Sequence, residues 1–172
     1  ISEVDNITTE RNWLYGTQTN QYALVLQFIV RGQGMQLTLT PGMFVQAELI
    51  FFPSTIPLRA IIKRQINTNA VNTFNGFANW QQVVETETSL SSVLPVRSDR
   101  PYIIHQLKPV QYNKQWWLQD ASNNMMQMKN EHKTIWKLLS LSGGDAMNMA
   151  VIGKENKYEP VGVWYKDEYK IL

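Results

Sequence analysis

Cysteine is missing from all 172 residues, and histidine occurs only twice. Without thiols the chain forms no disulfide, offers no thiolate nucleophile and builds no cysteine-ligated zinc site, which fits a reducing cytoplasm better than a secreted domain. The two histidines, His105 and His132, make no His-x-His or His-x-x-x-His pair, so there is no metal signature and no cofactor is expected. No window approaches the ~18 consecutive apolar residues that span a bilayer, so no membrane segment is expected. The first residues, Ile1-Ser2-Glu3-Val4-Asp5, hold neither an initiating Met nor a basic start followed by an apolar run. No signal peptide is in view, and the expectation is of a fragment of a longer chain. Charged residues are sparse at 17% and nearly cancel to a net +2. The Gly-x-Ser-x-Gly elbow and the Walker lysine are both missing, which removes the commonest hydrolase and nucleotide-binding signatures.

What the sequence has is an apolar core. Hydrophobic residues make up 44% of the chain, enough for one self-sufficient domain over residues 1–172. The run Tyr22-Ala23-Leu24-Val25-Leu26-Gln27-Phe28-Ile29-Val30 has one polar interruption and reads as a central strand with both faces covered. Arg31 to Gly34 is a turn into Met35–Thr40, which alternates apolar and polar. Pro41-Gly42 is a type II turn signal, and Phe44–Phe52 follows as the next strand of an antiparallel meander. The prolines of Pro53-Ser54-Thr55-Ile56-Pro57 break the pattern. Leu58–Gln65 resumes as a strand whose Arg59, Lys63 and Arg64 suit an edge position better than a ligand contact. Ile66 to Asn75 reads as a loop.

The period then changes. Phe77, Trp80, Val83 and Val84 form a helical stripe predicted to run from Phe74 to Thr88, with Glu85 and Glu87 near its C-terminal end. Leu94 to Pro101 is linker-like. Strands follow at Tyr102–Val110, Gln115–Gln119 and Met125–Met128, the last two joined by a turn over Asp120 to Asn124. Asn130 is placed to cap a helix over Glu131–Leu141 with Ile135, Leu138 and Leu139 inward, and Gly143-Gly144 stops it. Three further strands, Met147–Ile152, Tyr158–Tyr165 and Tyr169–Leu172, complete an α+β fold: predominantly antiparallel β-sheet, roughly nine to eleven strands, with two short covering helices.

Positive charge is concentrated. Between Arg97 and Lys137 seven basic residues face three acids, while the rest of the chain is acidic by two. Tyr102, Tyr112, Trp116, Trp117 and Trp136 are interleaved with those charges, the mixture a single nucleic-acid strand uses for phosphate contact and stacking. The plainer reading is of solvated strand faces over a core that takes up the tryptophans. Trp116 and Trp117 are adjacent on a strand and must point to opposite faces, so one ring faces outward. The candidate binding residues are therefore Trp116, Trp117, Arg100, Lys108 and Lys114. His105 is expected to share its strand face with Ile103 and Leu107 and suits a hydrogen-bonded core or edge role. Ser140-Leu141-Ser142-Gly143-Gly144-Asp145 follows a helix, where the dipole repels anions, so it is a cap and no phosphate loop.

The segments Tyr22–Phe28, Pro41-Gly42 with Ala47-Glu48-Leu49, Pro57-Leu58-Arg59-Ala60, Trp117-x-x-Asp120 and Trp136–Gly144 together resemble the C-terminal region of bacterial SWIM zinc finger family proteins. The resemblance implies a cytoplasmic, non-enzymatic protein whose finger, thought to bind DNA or protein, lies in another part of the chain. It carries no zinc ligand onto any position here. The leading expectation is a non-catalytic interaction module that binds a protein partner. The alternatives are a nucleic-acid-binding domain using residues 97–137, and a hydrolase centred on His105 with an acid such as Asp120.

Overall fold

Alternation of apolar and polar side chains decides most of the strands. The computed structural model describes residues 2–4, 7–30, 39–54, 58–70, 76–93, 99–129, 131–166 and 168–172. The chain divides into two units, Ile1–Val71 and Asn72–Leu172. The fold is α+β and dominated by strands, largely antiparallel, with two helices among the described residues. No helix among those residues is long and apolar enough to cross a membrane.

The first unit is a five-stranded sheet of β1 (Ser2–Val4), β2 (Ile7–Tyr15), β3 (Tyr22–Val30), β4 (Met43–Phe51) and β5 (Arg59–Ala70), in the order β1-β2-β3-β5-β4. The apolar run is β3, in the middle. It pairs antiparallel with β2 from Ile7↔Val30 to Tyr15↔Tyr22 and parallel with β5 at Leu24↔Arg59 and Val25↔Ala60. Ala23, Val25 and Ala60 are buried on one face of this sheet, but Phe28 is 62% exposed and Val30 is exposed as well. The expected cover on both faces therefore fails over the second half of β3. Pro41-Gly42 is the turn its residues indicate: Met43 N–H donates to Thr40 O at 3.2 Å, and Gly42 has φ 79°, as the third position of a type II turn requires. The expected strand at 35–40 lies mostly outside the described residues, and β4 pairs antiparallel with β5.

β5 departs from its expectation twice. It lies between β3 and β4 in the strand order and not at the rim, though only Arg59 and Ala60 pair with β3, and Lys63 and Arg64 stand on a stretch paired with β4 alone among the described strands. Lys63 pairs with Glu48 at 2.7 Å, and the Arg59 guanidinium stands 5.1 Å over the Phe52 ring. The strand also continues through the Asn and Thr residues expected to be a loop, because its exposed tail needs only backbone bonds to β4 and no buried side-chain row.

The second unit contains β6 (Arg100–Tyr112), β7 (Gln115–Gln119), β8 (Met125–Met128), β9 (Met147–Lys154), β10 (Lys157–Tyr165) and β11 (Glu168–Ile171). The ladder runs β11-β10-β8-β7-β6-β9, and β9 also pairs with β10. Five strands thus close on themselves in the order β6-β7-β8-β10-β9-β6. All pairs are antiparallel except β8 with β10. Helix α1 (Trp80–Val93) precedes this barrel, and α2 (Glu131–Ser142) connects its third strand to its fourth. Trp80 and Val83 from α1, Ile135 and Leu138 from α2, and Tyr102, Ile104, Leu107, Leu118, Met149, Val151, Tyr158 and Val163 from the strands form one buried cluster.

Helix α1 starts six residues later than its apolar stripe suggests. Phe77 is held in a parallel bridge to Ile104, donating its N–H to Ile103 O at 2.8 Å and accepting from His105 N–H at 2.9 Å. Asn79 is the cap: its Oδ1 accepts Gln82 N–H at 3.1 Å, and Gln82 Oε1 accepts Ala78 N–H at 2.8 Å, a near-reciprocal capping box. Because the helix runs to Val93, Glu85 and Glu87 sit in its middle, and Glu87 accepts the Tyr102 hydroxyl. At the other helix, Asn130 lies outside the described residues, whereas Gly143 and Gly144 have φ 62° and 92° and end α2 as their position indicates.

Candidate functional site

Strand alternation sorts the barrel's side chains into two sets. On β7, Leu118 is fully buried and Trp116 packs against the core, so Gln115, Trp117 and Gln119 face outward. On β6, Leu107 and Pro109 are buried, which sends Lys108, Val110 and Tyr112 outward. The register joins these into rows: Lys108 opposite Gln119, Val110 opposite Trp117, Tyr112 opposite Gln115, then Trp117 opposite Gln127 and Gln119 opposite Met125. The parallel pairing of β8 with β10 sets Gln127 against Lys157, and Lys157 pairs with Lys154 of β9.

The result is one continuous outer surface over β6, β7 and β8 that runs on to Lys157 of β10 and Lys154 of β9. It is aromatic at Trp117 and Tyr112, basic at Lys108, Lys114, Lys154 and Lys157, and lined with the amides of Gln119 and Gln127. Tyr112 is 55% exposed. The hairpin that joins β6 to β7 turns on Asn113 and Lys114, with φ 50° and 62°, the left-handed pair of a type I′ turn. Trp117 Nε1 donates to Tyr112 O at 3.3 Å, which ties the indole to the hairpin.

Of the residues singled out in the sequence, Lys108, Lys114 and Trp117 belong to this surface. Trp116 and Trp117 do diverge, but both rings are half-buried and neither stands free in solvent. Arg100 is not part of the rim. It lies on the inward side of β6 with Tyr102 and Ile104 and is 6% exposed, because it shares their two-residue phase. Its Nε and Nη1 find no hydrogen-bond acceptor among the described residues. Gln127, Lys157 and Lys154 have no local signal: the β7–β8 pairing sets Gln127 beside Trp117, the parallel β8–β10 pairing adds Lys157 one strand farther, and the β9–β10 pairing adds Lys154 beyond that.

His105 and Asp120 have structural surroundings. A β-bulge with Gln106 at φ 53° shifts the register of β6 between Ile104 and Leu107, so Leu107 returns to the inward phase and His105 does not share its face. His105 Nδ1 lies 3.3 Å from Asn148 Oδ1. Asp120 is buried. Its Oδ2 accepts Trp80 N–H at 2.8 Å and Asn124 Nδ2 at 3.2 Å, and its Oδ1 accepts the N–H groups of Ser122 and Asn124, each at 2.9 Å. A depression beside α1 is lined by Phe77, Gln82, Glu85, Thr86, Ser89 and Leu90, with neither His105 nor Asp120 in its wall. Among the described residues no three histidine or carboxylate side chains gather to hold a metal ion. Comparisons of the chain with protein-family models, with curated proteins and with solved structures return no match.

Proposed function

We propose that the second unit is a non-catalytic module that binds single-stranded nucleic acid across the outer face of β6, β7 and β8. The observation that carries the reading is the strand order β6-β7-β8-β10-β9-β6, with the third and fifth strands parallel and a helix between the third and fourth. This is the connectivity of an OB-fold, a five-stranded Greek-key barrel whose second and third strands, with the adjoining loops, commonly form an oligonucleotide or oligosaccharide site. Fold alone assigns no function, so the surface must supply the chemistry. What supports the reading is the exposed Tyr112 ring beside the half-buried Trp117 indole, aromatic surface on which bases stack, with Lys108, Lys114 and Lys157 as charge for phosphates. The lysines favour a phosphate-bearing strand over a neutral saccharide. A cytoplasmic setting belongs to the same reading and rests on the absence of cysteine.

The test is fluorescence anisotropy of a labelled oligothymidylate with the full chain. Affinity should fall steeply with salt, by a log–log slope of about −0.7 for each phosphate neutralised, and Lys108→Ala or Lys114→Ala should each flatten the slope by about that amount. Trp117→Ala should cost about 1–3 kcal/mol of binding. No binding at low ionic strength overturns the reading. What would then stand is a protein-binding module, which the exposed Ile7, Phe28, Val30, Ile50 and Ile61 of the first unit favour.

A further inference from the structure

Tryptophan is among the residue types most buried on average, yet Trp136 is 75% exposed, more than any other large hydrophobic side chain described. It sits on α2. The inward side of that helix is fixed by Ile135 and Leu138, both buried in the core cluster, so its outward side is held in place. That outward side presents His132, Lys133, Trp136, Lys137 and Ser140, all exposed. His132 and Lys133 lie one turn before the indole and Ser140 one turn after, while Lys137 stands one turn beyond Lys133 on the flank of that face. Lys133 and Lys137 make no ion pair with any described residue, so their charge is open to a ligand.

The surroundings of the ring decide the kind of ligand. An aromatic anchor for a protein partner works inside a dry, largely apolar patch ringed by contacts that exclude water. The exposed residues around Trp136 on its helix face are cationic or polar, and its one apolar neighbour there, Leu139 at i+3, is partly buried against the core. A lone π face between ammonium groups is instead the arrangement on which a base stacks while its flanking phosphates are neutralised. Chain length bounds its distance from the barrel face. Gln127 ends the row that begins at Trp117, and only the end of β8 and the first turns of α2 separate it from Trp136. At ~3.4 Å per extended residue and ~1.5 Å per helical residue the two lie no farther apart than about 21 Å.

We propose that α2 carries a second stacking post, so that a single strand seated on the barrel face continues onto Trp136 with its phosphates at Lys133 and Lys137. The inference rests on the nucleic-acid reading of the barrel and extends it to a longer ligand. Labelled oligothymidylates of about four and about sixteen nucleotides, the two ends of the range of site sizes for one such barrel, separate the contributions. With the full chain, Trp117→Ala weakens both oligomers. Trp136→Ala weakens the longer one roughly tenfold and leaves the shorter one unchanged, and Lys133→Glu does the same. The melting midpoint of Trp136→Ala stays that of the parent, because the ring is out of the core. If Trp136→Ala leaves the longer oligomer untouched while Trp117→Ala weakens both, the second post is wrong and the barrel site stands. If neither oligomer binds, both are wrong. Binding of polyglutamate, lost in Trp136→Ala while the oligomers still bind that variant, assigns the face to an acidic protein segment and overturns the proposal.

Discussion

Asp120 caps a helix that begins forty residues before it in the sequence: its Oδ2 accepts the backbone N–H of Trp80 at 2.8 Å. Trp80 reciprocates by donating its indole N–H to Leu118 O at 2.9 Å. The first helical residue of α1 is thus bonded twice to the end of β7, once through backbone and once through side chain. Both bonds are buried, so neither competes with water.

Asp120→Ala is expected to destabilise the second unit by about 2–4 kcal/mol, since it removes the acceptor of the Trp80 N–H and of three turn bonds and leaves the buried Trp80 donor unpaired. Asp120→Asn keeps one carbonyl acceptor and should lose less. Thermal or urea unfolding of the three proteins checks the ranking.

Trp80→Ala is expected to cost about 3–5 kcal/mol, because the ring is fully buried against Tyr158, with centroids 4.7 Å apart, and leaves a cavity. Trp80→Phe refills most of that volume but leaves Leu118 O without its donor, a loss of roughly 1–3 kcal/mol. An unchanged midpoint in Trp80→Ala would contradict the packing described.

Two glycines should respond unequally to the same methyl group. At Gly143 an added Cβ meets nothing within 4 Å, so Gly143→Ala costs only the left-handed conformation, about 1 kcal/mol. At Gly153 the Cβ would run into Lys157 O and come within 2.7 Å of Tyr158 Cα, both backbone atoms. Gly153→Ala is therefore expected to cost about 3 kcal/mol or more. Equal midpoints for the two variants would refute this.

Alkaline pH should weaken the fold. Burial, then the Glu87 hydrogen bond and charge, hold the Tyr102 hydroxyl well above the ordinary tyrosine range. Burial and Glu87 do the same to Tyr158, and burial pushes Tyr169 up to about 12. Above pH ~10 the unfolded chain loses these protons while the folded chain keeps them, so stability is full below that value and falls as pH rises. One pH unit higher, each well-buried hydroxyl removes about 1.4 kcal/mol. In Tyr102→Phe the slope of unfolding free energy against pH should be shallower there, at the expense of the Glu87 bond at neutral pH.

The parts legible in the sequence are those where one local rule decides. β3 follows from its apolar run, β7 and β8 from alternation around Asp120 to Asn124, and the end of α2 from Gly143-Gly144. Period two orients Trp117 away from Leu118 and Lys108 away from Leu107, and the hairpin register then sets the two on one face. Other parts depend on distant partners. Phe77 looks like the start of a helical stripe until its bridge to Ile104 is known. The tail of β5 has no buried row to betray it. Arg100 looks like a surface cation beside a linker, and only the inward phase of Tyr102 and Ile104 shows where it goes. Lys157 joins the candidate surface through a parallel pairing that no local pattern encodes.

Closure of the barrel also sets an order of events on the ribosome. The second half of β6 gains its partner at once, from Pro109↔Leu118 to Tyr112↔Gln115 across the hairpin. The first half must wait for β9, where Tyr102 meets Val151, so its edge stays open while β7, β8 and α2 are synthesised. Such long-range pairing is slow to form, and an open edge invites strands from neighbouring chains. Pro101 lies in the half that waits, and it has no N–H to offer them.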